Sequence, residues 1–305
     1  MSFSSRAKEE IAGIVPQARH CREAALCAVM ECAGGFLYEG SDASSDTKPS
    51  GIRLDSDNHL VQGKFFTILQ KATNICFTWQ FQGVKGEITD NDADGAGIAA
   101  VYEICQKTDR LLEQRECCRR AWLREVFLCT GSVTDPAREY HMEFACGKGS
   151  LTDRLIRVLS VLGIPAKEMR RKNNRVVYIK DSAAIGDVLS LTGAHTCYLE
   201  LENALILKDM RNSINRRVNF ETANIVKAVG AAQRQIDDIR LLEKRGVLKT
   251  LPETLQQIAS VRLQYPDATL KELGASLNPP VGKSGVNHRL RRLQELAAQS
   301  DDLGG

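Results

Sequence analysis

The sequence has no hydrophobic run that approaches the roughly 20 residues needed to cross a membrane. Its first residues, MSFSSRAKEEIAGI, follow a polar helical pattern and lack the features of a signal peptide. These two absences argue against the integral membrane and secreted classes, so we expect a cytoplasmic protein. At 43% hydrophobic and 26% charged residues over 305 positions, the composition is that of an ordinary globular protein with two or three domains.

The sequence also lacks the ligand spacing expected of a metal site. It contains ten cysteines and five histidines but no Cys-x-x-Cys pair, which zinc sites commonly use. The set nearest to a ligand cluster is Cys117, Cys118, Cys129, His141 and Cys146, and its spacing does not match a zinc finger. Cysteines in a cytoplasmic chain are usually small buried hydrophobic residues. We therefore predict no metal site and no cofactor.

One acidic fragment, Asp92-x-Asp94-Gly95, is similar to the start of a calcium-binding loop. A calcium loop also needs a bidentate glutamate at a fixed distance further along the chain, and this sequence has none there. We therefore interpret the fragment as a surface turn.

Positive charge is unevenly distributed along the chain. The formal net charge is +3, but residues 213–299 hold 14 basic and 8 acidic residues, an excess of six positive charges. The remaining residues hold 27 basic and 30 acidic residues, an excess of three negative charges. A basic excess confined to the C-terminal third favours an anionic partner such as nucleic acid.

The C-terminal stretch from Thr269 to Leu296 is predicted to form a helix, a rigid turn and a second helix. Thr269 and Glu272 can form a capping box at the start of the first helix. The prolines at 279 and 280 end that helix, and Ser284 can cap the next one. The apolar residues at helical spacing, predicted to face inward, are Leu270, Leu273 and Leu277 in the first helix and Val286, Leu290, Leu293 and Ala297 in the second. This turn is longer than in most helix-turn-helix motifs.

The other face of the second helix is basic and rich in hydrogen-bonding groups, as a DNA recognition helix requires. Residues near the start of such a helix usually meet base edges, and Lys283, Ser284, Asn287 and His288 are the candidates here. The candidates for phosphate contacts are Arg289, Arg291 and Arg292 on the same helix and Arg216, Arg217 and Lys227 on the preceding connector. The alternative is an ordinary amphipathic helix with a solvated basic face.

The N-terminal two thirds contain an internal duplication. Two helices rich in small and apolar residues, predicted at His20–Phe36 and Cys117–Val133, each contain a glycine near the end, Gly34 and Gly131. Strands, a helix and a further strand follow each of them, about 95 residues apart, which predicts pseudo-two-fold symmetry. Small residues permit close approach, so we expect the two helices to form the contact between the halves. The polar segment Ser213–Asn219 is predicted to separate a domain of residues 1–212 from a domain of residues 213–305.

These two helices resemble the signature helices of LAGLIDADG homing endonucleases. The matching residues are Leu26–Gly34 (LCAVMECAG) and Leu123–Gly131 (LREVFLCTG). In that family an acid precedes the last glycine of each helix, and the two acids hold divalent metal at the DNA. Ala33 and Thr130 stand at those positions here, and neither is an anionic ligand. The resemblance therefore implies a non-catalytic scaffold and not an active nuclease.

Four segments make the chain similar to the bacterial WhiA family over nearly its whole length: REAALCAVMECAGG, RAWLREVFLCTGSVTDPAREYHMEF, NRRVNFETANIVKA and LKELGASLNPPVGKSGVNHRLRRL. The resemblance implies an α+β protein, in which a duplicated, LAGLIDADG-like αββ domain is linked to an all-α helix-turn-helix domain similar to region 4 of sigma factors. It implies a regulator without enzymatic activity that binds double-stranded DNA, is associated with the nucleoid, and acts in transcription control, cell division and chromosome segregation. In sporulating relatives it implies a role in sporulation. The alternative left open is an adaptor that binds a sigma factor or RNA polymerase.

Overall fold

The computed structural model describes residues 1–38, 48–75, 80–82, 85–89, 95–147, 149–172 and 174–302. The chain forms two compact units, Met1–Lys208 and Asp209–Gly305. The first unit contains helices and two small sheets, and the described part of the second unit is helical. The fold therefore has the α+β class predicted from the sequence.

The first unit opens with helix α1 (Phe3–Ala12) and then repeats one succession of helix, two strands, helix, two strands and helix. The first copy consists of α2 (Arg19–Cys32), β1 (Gly34–Leu37), β2 (Gly51–Asp55), α3 (His59–Thr73), β3 (Gln80–Gln82), β4 (Lys85–Thr89) and α4 (Gly95–Gln106), followed by the short α5 (Thr108–Gln114). The second copy consists of α6 (Glu116–Thr130), β5 (Gly131–Val133), β6 (Met142–Ala145), α7 (Gly149–Val161), β7 (Lys167–Arg171), β8 (Asn174–Ile179) and α8 (Ser182–Thr192).

Each copy folds its four strands into one antiparallel sheet. The strand orders are β1-β2-β4-β3 and β5-β6-β8-β7, so equivalent strands occupy equivalent places. All neighbouring strands in both sheets pair antiparallel. The matching order confirms the predicted duplication.

The two predicted signature helices are shorter in the structure than in the prediction, because the chain turns directly from helix into strand. Gly34 already pairs with Leu54 in the first sheet, and Gly131 pairs with Phe144 in the second. A Cβ atom on Gly34 would lie 2.7 Å from the Cα of Met30, and one on Gly131 would lie 2.3 Å from the ring of Phe127. Both turns therefore require glycine.

Helices α2 and α6 make the most extensive contact between any two described elements. Ala24, Ala25 and Ala28 of α2 are fully buried, and α6 contributes the fully buried Trp122 and Phe127. Small side chains such as these alanines permit a neighbouring helix to approach closely. The predicted contact between the two helices is thus confirmed, and it lies in the core of the first unit.

Several local predictions for the first unit differ from the structure. The fragment Asp92–Gly95 lies mostly outside the described residues. The apolar stretch NICFTWQF at 74–81 predicts a strand, but its residues 76–79 also lie outside the described part of the chain. Strand β7 was not predicted because all five of its side chains are exposed, so it has no alternating pattern. The spacing of Ser150 and Asp153 predicts a capping box at the start of a helix. The helix instead begins at Gly149, and the Asp153 carboxylate accepts a hydrogen bond of 2.7 Å from Arg175.

The second unit is built around helix α9 (His195–Lys244), which begins in the first unit. A 3-10 turn (Leu248–Thr250), α10 (Glu253–Gln264), α11 (Leu270–Ala275) and α12 (Lys283–Asp302) follow. Residues 213–219, predicted to form a polar boundary segment, are helical. They contain neither glycine nor proline, and Arg217 pairs with Glu221 one turn later at 3.0 Å. A polar composition alone therefore did not mark a break in the helix.

The core of the second unit is formed by the predicted apolar stripes of α11 and α12, by α10 and by the last turns of α9. Its buried members are Ile239, Leu242, Leu255, Ile258, Ala259, Leu273, Leu277, Val286, Leu290, Leu293 and Ala297. The helical spacing of Ile225, Val229, Ile236, Ile239 and Leu242 predicts one apolar side of α9. Ile225 and Val229, however, are 63% and 60% exposed. The core begins further along α9, so that part of the prediction is wrong. None of the helices in the described ranges is both long enough and apolar enough to span a membrane.

Candidate nucleic-acid interface

Helix α11 begins with the predicted capping box. The Thr269 hydroxyl accepts a hydrogen bond from the Glu272 backbone amide at 3.3 Å, and the Glu272 carboxylate accepts one from the Thr269 amide at 2.7 Å. These hydrogen bonds favour the ionised carboxylate and lower the pKa of Glu272. The start of the first helix in the motif is therefore fixed by two reciprocal contacts.

A close approach of two backbone segments shapes the turn between α11 and α12. The Val281 amide donates a hydrogen bond of 2.9 Å to the carbonyl oxygen of Gly274. A Cβ atom on Gly274 would lie 2.0 Å from the Val281 carbonyl oxygen, so no larger residue fits. Ser284, predicted to cap α12, lies inside its first turn because the helix begins at Lys283. The hydrogen bond to Gly274 thus links the turn to α11, and the serine cap predicted for α12 is not formed.

A buried arginine holds the loop between α10 and α11. Arg262 is 2% exposed, and its guanidinium donates hydrogen bonds to the carbonyl oxygens of Pro266 (3.2 Å) and Ala268 (2.7 Å). Burial lowers the pKa of Arg262. Sequence analysis missed this residue, because an arginine in an amphipathic helix is normally assigned to the surface.

Helix α12 presents two opposite faces. Val286, Leu290, Leu293 and Ala297 are buried, as predicted. The helical period places Ser284, His288 and Arg291 on the side opposite this stripe. Of the predicted contact residues on α12, Lys283, Ser284, Asn287, His288, Arg291 and Arg292 are exposed and Arg289 is partly buried. The structure therefore places the seven candidates of α12 outside its buried stripe, and we call the surface that they form the α12 polar face.

Two arginines of the α12 polar face share one acidic neighbour. Arg291 and Arg292 lie 3.5 Å and 3.1 Å from carboxylate oxygens of Glu295. Ion pairs between exposed side chains typically contribute only about 0.2–1 kcal/mol. Both guanidinium groups can therefore exchange this carboxylate for another anion at little cost.

Asn287 lies at the edge of the α12 polar face, beside α9. It lines a groove together with Val229 and Ala232 of α9 and with Thr269 at the start of α11. Lys227 of α9 directly precedes the groove residues in the chain. Arg216 and Arg217 lie about 16 Å from Lys227 along the same helix, toward its N-terminal end. All three basic residues of α9 are exposed. Lys227 is thus adjacent along α9 to residues that line the groove, and the arginine pair is further from them.

Ala33 and Thr130, predicted to stand at the positions of the LAGLIDADG acids, carry no carboxylate. Ala33 caps the C-terminal end of α2, and the hydroxyl of Thr130 donates a hydrogen bond of 2.8 Å to the Val126 carbonyl oxygen within its own helix. Glu31, two residues before Ala33, forms an ion pair with Arg154. Arg154 also binds Asp109 through two hydrogen bonds of 3.0 and 3.1 Å. The charge of Glu31 is therefore offset within the protein.

Comparisons with known proteins agree over the full chain. The family model described as the WhiA C-terminal HTH domain matches residues 214–297, and the WhiA LAGLIDADG-like domain matches residues 119–211. Proteins named "Probable cell division protein WhiA" from Lachnoclostridium phytofermentans and Alkaliphilus metalliredigens are 38% and 36% identical to this chain, and each alignment covers 97% of this chain and 98% of the relative. The crystal structure of full-length DUF199/WhiA from Thermatoga maritima has the same fold, with a TM-score of 0.58 at 22% identity over 98% of this chain and 99% of that one.

Proposed function

The chain belongs to the WhiA family, and from that premise we propose that it is a regulator that binds double-stranded DNA and has no nuclease activity. One observation carries the proposal: the α12 polar face combines exposed basic, amide and imidazole groups over a fully buried apolar stripe. A recognition helix needs this division, because one side must anchor the helix while the other enters a groove of the duplex.

The candidate residues divide into two roles. We assign Lys283, Ser284, Asn287 and His288 to base edges, because the first turns of such a helix usually lie deepest in the major groove. Arg289, Arg291, Arg292, Arg216, Arg217 and Lys227 are assigned to phosphates, which attract any exposed cation and carry no sequence information. The excess of six positive charges over residues 213–299 supports this assignment.

The absence of nuclease activity rests on Ala33 and Thr130. Hydrolysis of a phosphodiester on this scaffold requires divalent metal held by oxygen anions, and neither residue supplies one. Glu31 is engaged by Arg154, which makes it a poor substitute ligand.

The cellular role follows from the relatives, which are named as probable cell division proteins. We infer that this chain also acts in cell division, through control of transcription or through chromosome segregation, and that it is associated with the nucleoid. In relatives that sporulate, the same DNA-binding module would serve sporulation.

A second candidate function is that of an adaptor for a sigma factor or RNA polymerase. The observation that favours it is the exposed apolar surface of α9, where Ile214, Val218 and Phe220 are each more than half exposed. Exposed apolar residues in such number are typical of protein-binding surfaces.

A salt titration of duplex binding by the full-length protein distinguishes the two functions. If all six assigned phosphate contacts form, the logarithm of the association constant should fall against the logarithm of salt concentration with a slope of about −5. Arg292→Ala should flatten this slope by about one unit. Arg138→Ala, which removes an exposed arginine of the first unit, is the matched control. A slope near zero, together with tight binding to RNA polymerase, would favour the adaptor.

A further inference from the structure

Four metal-binding side chains meet where the N-terminal ends of α2 and α6 come together. His20 and Cys21 lie in the first turn of α2, and Cys117 and Cys118 lie in the first turn of α6. Their candidate ligand atoms all lie within 4.8 Å of one another. From Nδ1 of His20, the sulfur atoms of Cys118, Cys21 and Cys117 are 3.2, 3.3 and 3.9 Å away.

We propose that His20, Cys21, Cys117 and Cys118 form a tetrahedral zinc site that joins the two halves of the duplicated unit. With Zn–S bonds near 2.3 Å and a Zn–N bond near 2.0 Å, tetrahedral geometry places the ligand atoms about 3.5–3.8 Å apart. The separations from the imidazole nitrogen already cover this range, so small rotations of the side chains would complete the site.

The ligand chemistry selects a soft or borderline cation. Three thiolates and one imidazole suit Zn²⁺, whereas Mg²⁺ and Ca²⁺ require oxygen ligands. Four protein ligands leave no open coordination position, which is the arrangement of structural and not catalytic zinc.

The surroundings of the cluster also fit a bound cation with thiolate ligands. Both helices direct their N-terminal ends at it, and neither has a side-chain cap, since Ala18 and Arg115 occupy the cap positions. The partial positive charge at a helix N-terminus stabilises thiolates. Cys21 and Cys118 are buried, while Cys117 is exposed and leaves a path for the metal to reach the site.

Without a cation, Cys21 and Cys118 favour the neutral thiol. Burial and the neighbouring thiols raise the pKa of Cys118 to about 12 and raise the pKa of Cys21. Zinc would displace these protons, as it does in other thiolate sites.

The proposed site is separate from the degenerate LAGLIDADG positions. His20 and Ala33 lie near opposite ends of α2, about 20 Å apart along the helix. Zinc would therefore tie one end of the α2–α6 pair, while the glycine turns at Gly34 and Gly131 form the other.

The duplication explains why spacing rules did not detect this cluster. His20 and Cys117 are separated by 97 residues, as are Cys21 and Cys118 and also Gly34 and Gly131. The four ligands are thus two adjacent pairs at equivalent positions of the two copies. Only folding about the pseudo-two-fold axis brings them together, and the sequence analysis predicted no metal site.

Metal titration of the full-length protein tests the proposal. The protein is reduced, treated with a chelator to remove metal, and titrated with Co²⁺ as a spectroscopic probe and with Zn²⁺ in competition with a chromophoric chelator. We expect one equivalent of metal per chain, a tetrahedral thiolate–cobalt spectrum that Zn²⁺ abolishes, and a higher melting temperature with Zn²⁺.

Two variants identify the ligands. Cys117→Ala changes an exposed residue and should leave the fold intact, yet it should weaken zinc binding by at least about tenfold. His20→Ala should have a similar effect. The matched controls are Cys105→Ala and His59→Ala, which change residues outside the cluster and should bind zinc as the wild type does.

Two results would overturn the proposal. One is a reduced, folded protein that takes up no zinc under these conditions. The other is zinc uptake that is unchanged in both Cys117→Ala and His20→Ala, or that is lost equally in the controls.

Discussion

Nζ of Lys64 lies 2.8 Å from Oε1 of Glu125 in the core of the first unit, where the two side chains are 1% and 0% exposed. Lys64 also donates a hydrogen bond of 2.7 Å to the carbonyl oxygen of Ile11 at the end of α1. Burial raises the pKa of Glu125 and lowers the pKa of Lys64, while the opposite charge of each partner acts against both shifts. Helices α1, α3 and α6 thus meet at one buried polar contact.

Removing one partner of this pair should destabilise the protein strongly. Lys64→Met leaves the Glu125 carboxylate buried without a cation, and we expect a loss of about 3–5 kcal/mol. The double variant Lys64→Met/Glu125→Leu removes both charges and should recover most of the loss. Urea unfolding followed by circular dichroism measures both values. A double variant no more stable than Lys64→Met would contradict the assignment.

The loss in Lys64→Met should also depend on pH. Without the ammonium group, burial keeps the pKa of Glu125 above its unfolded value, so the folded state binds more protons than the unfolded state between the two values. The free energy of unfolding of Lys64→Met, relative to that of the wild type, should therefore rise as the pH falls from about 8 to about 5. The control Lys64→Met/Glu125→Gln has no carboxyl group here and should lack this dependence. A deficit in Lys64→Met that is equal at both pH values would show that Glu125 is not the titrating group.

The protein should not cleave duplex DNA in the presence of Mg²⁺ or Mn²⁺, because Ala33 and Thr130 replace the metal-binding acids. Supercoiled plasmid incubated with full-length protein, or with residues 1–212, should stay uncut at every concentration of either metal. The informative variant is Glu31→Gln. Metal-dependent nicking that this substitution abolishes would show that the active site uses Glu31, and the proposal of a non-catalytic scaffold would fail.

Residues 213–305 should fold alone as a helical domain and bind duplex DNA. The described core of the second unit starts at Ile239, and the α9 residues 213–229 are exposed. A shorter fragment, 230–305, should therefore unfold at a similar denaturant concentration. It lacks Arg216, Arg217 and Lys227, so its salt slope should be smaller by up to about three units. A disordered circular dichroism spectrum for 213–305 would rule out the predicted domain limits.

Substitutions on the α12 polar face should weaken DNA binding in two different ways. Asn287→Ala should relax sequence preference, at a cost of about 1–3 kcal/mol at a specific site and little at random DNA. Arg292→Ala should weaken both kinds of binding similarly. Competition binding to a mapped genomic site and to random duplex, at two salt concentrations, measures the difference. If Asn287→Ala is folded and binds both DNAs as the wild type does, α12 does not read the sequence.

Local patterns predicted the parts of the fold that depend on neighbouring residues. The Thr269–Glu272 box and the buried stripe of α12 are each set within a few turns of one helix, so their spacing in the sequence is enough. Matching glycines at Gly34 and Gly131 also made the duplication visible.

The sequence did not predict contacts between residues that are distant in the chain. It also did not predict how neighbouring helices determine which residues of a helix are buried. The Lys64–Glu125 pair and the His20 cluster unite residues far apart in the chain, and hydrophobic periodicity contains no information on such pairing. The exposure of Ile225 and Val229 depends on where the neighbouring helices end. Asn287 could be placed on an accessible surface, but the groove that it shares with α9 depends on tertiary packing.

The residues that hold the two halves together differ from the residues predicted to stand at the metal positions of the scaffold. Ala24, Ala25 and Ala28 are buried between the halves, whereas Ala33 and Thr130 come last at the helix ends and are partly exposed. A change at 33 or 130 therefore alters the chemistry at the helix ends and leaves the fully buried alanines of α2 in place. On this architecture the surface at the helix ends and the buried contact that joins the halves are set by different residues, so one can vary while the other is kept.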